Sequence, residues 1–121
     1  MAFQSYQDLQ VWQLGITLVE RVYHLTEAFP QKETYALCNQ MQRAAVSIPS
    51  NIAEGHARDS TKEFLHHLSV ALGSLAELET QVIVAKRLGY VKQSAADLAL
   101  EKAAELGRML RGLQKSLKAK L

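Results

Sequence analysis

Between residues 64 and 85, seven residues alternate in steps of three and four, which is the spacing that places side chains along one side of an α-helix. The row consists of Phe64, Leu68, Ala71, Leu75, Leu78, Val82 and Ala85. Ser60 and Glu63 have the spacing of a capping box before it, and Gly89 is suited to end a helix after it. The pattern predicts a helix over about residues 61–88 that packs one side into a bundle.

The rest of the chain has three more segments with helical periodicity. They predict helices over about residues 6–28, 33–54 and 95–119. The connections between them are short, and short connections place consecutive helices antiparallel. The hydrophobic fraction of 48% and charged fraction of 21% are typical of globular proteins. We therefore predict an all-α protein, an up-down-up-down four-helix bundle with one domain over residues 1–121.

The first helical segment has two apolar stripes. The first stripe is Leu9, Trp12, Ile16, Val19 and Tyr23, and the second stripe is Val11, Leu14, Leu18, Val22 and Leu25. A helix in an isolated bundle usually buries one stripe, so a second one predicts contact with another subunit. We expect the second stripe to lie in that interface, which makes the chain a homo-oligomer.

The second segment has a proline inside its helical pattern. Its apolar stripe continues in phase through Pro49, which predicts a kinked helix that ends at Gly55 in the left-handed conformation. Another face of the same helix carries short polar side chains instead of the usual Lys and Glu. This polar face consists of Gln40, Arg43, Ser47, Ser50, Asn51 and Glu54.

Two interpretations of the polar face remain open. It could form a hydrogen-bonded network between helices or subunits, or it could bind a ligand or RNA. Arg43 and Glu54 are eleven residues apart, about 16 Å along a helix, so they cannot pair with each other. Glu77 is a candidate partner for Arg43, and Gly73, one turn before it, allows another chain to come close. We favour the network, and we expect these residues to help set the assembly.

The net charge of +2 is unevenly distributed. Five cations and no acidic residue follow Glu105, whereas the rest of the chain has nine basic and twelve acidic residues. Four of these cations have helical spacing and predict one basic stripe, consisting of Arg108, Arg111, Lys115 and Lys118. The stripe could follow the phosphates of a nucleic acid, or it could be a solvated helix end that complements the helix dipole.

The sequence offers little for catalysis. Glu63, His66 and His67 resemble half of a di-iron site, but such sites need the motif on two helices and a further Glu on each of the others. We therefore predict no enzyme activity, no metal or other cofactor and no small-molecule substrate. Cys38 is the sole cysteine, so no intrachain disulfide can form. Without a signal-like start or a long apolar run, we expect a cytoplasmic protein that does not contact membranes.

Several motifs resemble those of one bacterial protein family. They are Leu9-x-Val11-Trp12, Phe29-Pro30-x-x-Glu33, the run from Arg43 to Gly55, Arg58, Gly73-Ser74-x-x-Glu77-Leu78 and Gly89-Tyr90. Over about residues 3–91 the chain resembles the four-helix-bundle proteins first noticed as reading frames inside intervening sequences of 23S rRNA genes. It is also similar to the accessory variability determinant of diversity-generating retroelements.

The resemblance implies a ring or barrel of five identical bundles and a link to nucleic acid. The accessory variability determinant binds a reverse transcriptase and nucleic acid, so the resemblance implies partners of these two kinds. Together with the basic stripe, it predicts a non-enzymatic, homo-pentameric scaffold or adaptor that binds RNA, DNA or a reverse-transcriptase-like enzyme through a basic face. The alternative is a purely structural or protein-binding helical module with no nucleic-acid contact.

Overall fold

In a computed structural model, residues 5–121 form four α-helices and no β-strand. The helices are α1 (Gln10–Thr26), α2 (Leu37–His56), α3 (Thr61–Arg87) and α4 (Gln93–Lys118). Two 3-10 helices, Tyr6–Asp8 and Gln31–Glu33, precede α1 and α2. The predicted all-α class is therefore confirmed.

Each helix of the bundle contacts two others. The neighbouring pairs are α1 with α2, α2 with α3, α3 with α4, and α4 with α1, and over residues 5–121 no Cα atoms of the diagonal pairs lie within 8 Å of each other. The cross-helix contacts show that neighbours run antiparallel. Ser47 of α2 meets Ser74 of α3, while Asn51, one turn later in α2, meets His67, two turns earlier in α3. The chain thus forms an up-down-up-down four-helix bundle.

In α1, the orientation differs from our prediction. Val11, Leu18, Val22 and Leu25 of the second stripe are buried, because this side of α1 faces α2 and α4. Of the first stripe, Leu9 is buried, whereas Trp12, Ile16 and Val19 are half-buried and Tyr23 is 45% exposed. The prediction that the second stripe forms a subunit interface was therefore wrong.

The helix ends also differ from the predicted ones. The helix α1 begins at Gln10 instead of residue 6, because Ser5 caps the preceding 3-10 helix by accepting a bond from the Gln7 N–H at 3.1 Å. The helix α2 begins at Leu37 instead of residue 33, because the chain first forms the second 3-10 helix. The side chain of Glu33 then accepts a bond from the Leu37 N–H at 3.4 Å.

The proline of α2 is accommodated by a glycine of α1. The helix α2 continues through Pro49, which is buried. A Cβ at Gly15 would lie 3.4 Å from the Pro49 Cβ and 3.6 Å from its Cδ, which are van der Waals distances, so the ring packs directly against α1 at Gly15.

The two helix-ending glycines that we predicted have different roles. Gly89 has φ of 76°, and the Tyr90 and Gly89 N–H groups bond to the carbonyls of Ala85 and Lys86 at 3.0 and 3.1 Å. This Schellman motif confirms that Gly89 ends α3. Gly55, in contrast, lies inside α2, which runs on to His56, so its predicted left-handed conformation was wrong. Gly55 is buried against α3, where a Cβ would come within 2.6 Å of the His67 Cβ.

A hydrogen bond ties the two loops at one end of the bundle together. The Tyr90 hydroxyl donates to Glu33 at 2.7 Å, and the Tyr90 ring packs on Phe29 at 5.5 Å between centroids. This hydrogen bond lowers the pKa of Glu33 below its ordinary value of 4.5, with a further contribution from the Leu37 N–H. The same bond raises the pKa of Tyr90 above 10.0.

We predict that Tyr90→Phe lowers the thermal midpoint at neutral pH, because it removes the bond and keeps the ring. The contribution of Glu33 to stability is present above the pKa that it has in the unfolded chain. It is lost as pH falls through the lowered pKa that Glu33 has in the folded chain. The contribution of Tyr90 to stability is present below the pKa that it has in the unfolded chain. It is lost as pH rises through the raised pKa that Tyr90 has in the folded chain. The difference in thermal midpoint between the variant and the unmodified chain should therefore disappear at both low and high pH in thermal scans. Tyr23→Phe is the control, and an equal loss in both variants would contradict the prediction.

Candidate functional site

The basic stripe lies on the outer side of α4. Its four members are exposed, on the side away from the buried Ala103, Leu106 and Leu110. Across residues 5–121, none of the four forms an ion pair. From Arg108 to Lys118 the stripe extends for about 15 Å, at 1.5 Å per residue. It is therefore a continuous line of cations open to a partner.

The composition of α4 limits what this stripe can recognise. The helix has no aromatic residue, so it provides no side chain on which a base could stack. Long cationic side chains along one line suit the evenly spaced charges of a phosphate backbone. The stripe can hold an anionic polymer by charge, but it offers no means to read a base sequence.

The side chains of the polar face of α2 point in two different directions. Ser47 and Asn51 face α3, where the Ser47 hydroxyl lies 2.9 Å from that of Ser74. The Asn51 amide donates to the Ser47 carbonyl at 2.8 Å and to its hydroxyl at 3.1 Å. Ser50 faces away from α3 and lines a groove between α1 and α2 with Trp12. The polar side chains therefore do not form one cluster.

His67 extends this network along α3. Its Nδ1 lies 3.2 Å from the Asn51 side-chain oxygen, and an amide oxygen only accepts, so the hydrogen is on Nδ1. Its Nε2 lies 4.0 Å from the Glu54 carboxylate, which is also 3.2 Å from Arg58. Sequence reasoning missed Ser74 and His67 as members of this network. His67 and Ser74 are seven residues apart, which places them on the same side of α3. Ser47 and Asn51 are four residues apart on one side of an antiparallel helix, so these two spacings together were the signal for the network in the sequence.

Arg43 and Glu77 do not form the ion pair that we considered. They line one cleft of about 420 Å³ between α2 and α3, whose other walls include Tyr35, Ser47 and Ser74. Glu77 instead accepts a hydrogen bond from the Gln81 amide at 3.1 Å. Gly73 is exposed, and a Cβ there would meet no atom within 4 Å. Within the subunit, therefore, nothing in the described chain requires a glycine at this position.

The residues considered for a metal do not converge. The His66 and His67 rings are 5.6 Å apart between centroids, and Glu63 lies 4.0 Å from Arg58. In the part of the chain from residue 5 onward, no group of three His, Cys, Asp or Glu side chains is placed to hold a metal ion.

Two surfaces carry apolar side chains that are only partly covered within the subunit. We call the first the α1–α2 face, made of Trp12, Ile16, Val19, Tyr23, Arg43 and Val46 around two adjoining clefts. We call the second the α3 row, made of the exposed residues Val70, Gly73, Glu77, Thr80 and Val84. In residues 5–121, α3 is also the one helix long and apolar enough to cross a membrane by composition, a test that core helices of soluble proteins also pass.

The fold and these surfaces define a class of helical-bundle protein. It has a basic stripe on the outer side of α4, and exposed side chains on the α1–α2 face and the α3 row. The chain belongs to the 23S rRNA-intervening sequence protein family, whose family model matches residues 7–112. The match includes most of α4 and so extends beyond the motifs that first indicated the family. No curated protein matches the chain.

The fold also matches a solved structure. It is the crystal structure of a protein of unknown function from the S23 ribosomal protein family of Bacteroides thetaiotaomicron. The two share 21% sequence identity with a TM-score of 0.80, over 87% of this chain and 95% of the other. At this identity the similarity establishes the fold alone.

Proposed function

We propose that this protein is a non-enzymatic, homo-oligomeric scaffold that binds nucleic acid through its phosphate backbone. The observation that carries the proposal is the basic stripe of α4, four exposed cations that form no ion pair within residues 5–121. The description of the family as 23S rRNA-intervening sequence proteins supports a nucleic-acid context.

Assembly would strengthen a stripe that is weak in one subunit. Four cations contact few phosphates, but linked copies act at a high effective concentration on the same polymer. The α1–α2 face and the α3 row would be covered in an assembly, whereas α4 contributes to neither of them. The stripe therefore remains open in an assembly that uses these two faces. We expect five copies, as the family resemblance implies.

The polar cluster of α2 and α3 favours a scaffold over an enzyme. The Ser47 hydroxyl has Ser74 and the Asn51 amide as its side-chain partners, and within residues 5–121 no base is bonded to it that could activate it as a nucleophile. These bonds instead join the two helices with the most extensive contact in the bundle.

The test is a binding titration with labelled RNA and DNA duplexes across a range of salt concentrations. The stripe variant replaces Arg108, Arg111, Lys115 and Lys118 with Gln. The control variant replaces the exposed Lys32, Lys62, Arg87 and Lys92 with Gln, so that both variants lose four positive charges. For the unmodified chain, the logarithm of the affinity should fall linearly with the logarithm of the salt concentration. The slope should be about −0.9 per phosphate contact for B-DNA. The stripe variant should bind at least tenfold more weakly and with a smaller slope, and the control should stay close to the unmodified chain.

Two outcomes would contradict the proposal. Equal losses in both variants would show that net charge, and not the stripe, accounts for binding. Absence of binding by the unmodified chain at low salt would instead favour the alternative, a purely structural or protein-binding module.

A further inference from the structure

The cleft between α2 and α3 is lined by two opposite charges that do not meet. Its volume is about 420 Å³, and Arg43 of α2 and Glu77 of α3 both line it. Both residues are exposed, and within residues 5–121 neither forms an ion pair. A guanidinium and a carboxylate that share a cleft without contact leave a space in which one ligand can bond to both.

The carboxylate of Glu77 is positioned by a buried residue of its own helix. Gln81 is 7% exposed, and its amide donates to Glu77 Oε2 at 3.1 Å. Among residues 5–121, no hydrogen-bond donor contacts the other oxygen, Oε1. An ionised carboxylate accepts through both oxygens, so Glu77 can take further hydrogen bonds from a ligand.

One hydroxyl hydrogen in the wall of the cleft is not used within the subunit. Ser47 and Ser74 both line the cleft with their hydroxyls 2.9 Å apart, and this contact uses one of their two hydrogens. The Ser47 hydroxyl also accepts a bond from the Asn51 amide. Whichever serine donates to the other, the second hydrogen has no acceptor among residues 5–121. The cleft therefore has a neutral donor in addition to Arg43.

An exposed aromatic ring lines the same cleft. Tyr35 lies between the second 3-10 helix and α2, and it is 93% exposed. Within residues 5–121 its ring pairs with no other aromatic ring and its hydroxyl forms no hydrogen bond. The amides of Asn39 and Gln40 also line the cleft. An uncovered ring beside an arginine and amides is typical of sites that stack an unpaired nucleobase.

We infer that this cleft binds a guanine base. Tyr35 stacks on the ring, Arg43 donates to O6 and N7, and Glu77 accepts from the N1 and N2 hydrogens. Guanine combines two neighbouring acceptors on one edge with two neighbouring donors on another, and O6 with N7 is the pair that arginine bonds best. Cytosine and uracil have only one donor group each, and adenine has no two adjacent acceptors.

The inference goes beyond the proposed function, because the basic stripe holds phosphates whereas the cleft recognises a base. No residue of α4 lines the cleft, so the two sites can be tested separately. Guanine has the same edges in a free nucleotide and in an unpaired position of RNA, and the experiment distinguishes these two sources.

The first experiment is calorimetric titration of the full chain with the 5′-monophosphates of guanosine, adenosine, cytidine and uridine. All four have the same phosphate, so differences in affinity report the base. The guanosine nucleotide should bind at least tenfold more tightly than the other three. Arg43→Gln and Glu77→Gln should each remove at least tenfold of this affinity. The controls Lys92→Gln and Glu101→Gln, which neutralise exposed charges outside the cleft, should bind like the unmodified chain.

A second pair of variants tests the stacking without changing charge. Tyr35→Phe keeps the ring and should keep the affinity for the guanosine nucleotide, whereas Tyr35→Ala should lose most of it. Tyr35 belongs neither to the α1–α2 face nor to the α3 row, so these variants do not alter the surfaces proposed for assembly. Circular dichroism checks that each variant is folded.

The source of the base is tested with labelled RNA hairpins whose loops differ only in one guanine or adenine. A preference for the guanine loop that disappears in Tyr35→Ala identifies an unpaired base of RNA as the ligand. Equal binding of the two hairpins, together with selective binding of the guanosine nucleotide, identifies the free nucleotide.

Three outcomes would overturn the inference. They are absence of any guanine preference with both nucleotides and hairpins, unchanged binding of the guanosine nucleotide by Arg43→Gln and Glu77→Gln, and equal binding by Tyr35→Ala and Tyr35→Phe. The variant with Gln at all four positions of the basic stripe should keep its affinity for the guanosine nucleotide. If that variant also binds nucleic acid duplexes as well as the unmodified chain, the proposed function fails while the guanine site stands.

Discussion

Leu18→Ala is expected to lower the free energy of unfolding by about 2–5 kcal/mol, the range for removing a fully buried leucine side chain. Leu18 is 1% exposed and lies among the core residues of α1. The loss should appear in urea denaturation at every protein concentration, because the contacts it removes are within the subunit. This variant tests which of the two apolar stripes of α1 forms the core.

Ile16→Ala is the matched comparison on the other stripe. Ile16 is half-buried and lines the groove of the α1–α2 face. Its contribution should depend on protein concentration, since its remaining surface would be covered by another subunit. If Ile16→Ala shows the larger loss and that loss is independent of concentration, the orientation of α1 described above is wrong.

Gly55→Ala should destabilise the bundle by about 1–3 kcal/mol, although alanine is the better helix former. The added Cβ would lie 2.6 Å from the His67 Cβ and 3.0 Å from Phe64 Cδ1, and such contacts force the backbones of α2 and α3 apart. The Asn51 and Ser47 hydrogen bonds join the same two helices, so their separation also weakens the polar network.

Gly112→Ala makes the same chemical change where there is space. With nothing within 4 Å of its Cβ, it should stabilise the chain by up to about 1 kcal/mol. Opposite signs for the two glycines in urea denaturation are the expected result. A stabilising Gly55→Ala would show that α2 and α3 are not in close contact at this end.

The helices could be predicted from the sequence because their apolar periodicity is local. The buried lines of α3 and α4 follow directly from residue spacing, and Gly89 ends α3 as its position suggests. The orientation of α1 could not be found in this way. Its two stripes are similar in apolar character, and which one is buried depends on where α2 and α4 lie.

For the candidate site, prediction from the sequence was limited for a similar reason. Exposure of the basic stripe follows from its position opposite the Leu106 side of α4, so spacing was enough to predict it. Helical spacing also grouped Ser50 with Ser47, but it could not show that Ser50 lies towards α1 and Ser47 towards α3. Gly55 was misinterpreted because a glycine near a helix end is equally consistent with a cap and with close packing.

Assembly through the α1–α2 face and the α3 row is the central claim, and sedimentation equilibrium of the unmodified chain tests it most directly. The subunit mass is 13.5 kDa. We predict a single species of five subunits, the number that the family resemblance implies. A mass of 13.5 kDa across the micromolar range would contradict the claim.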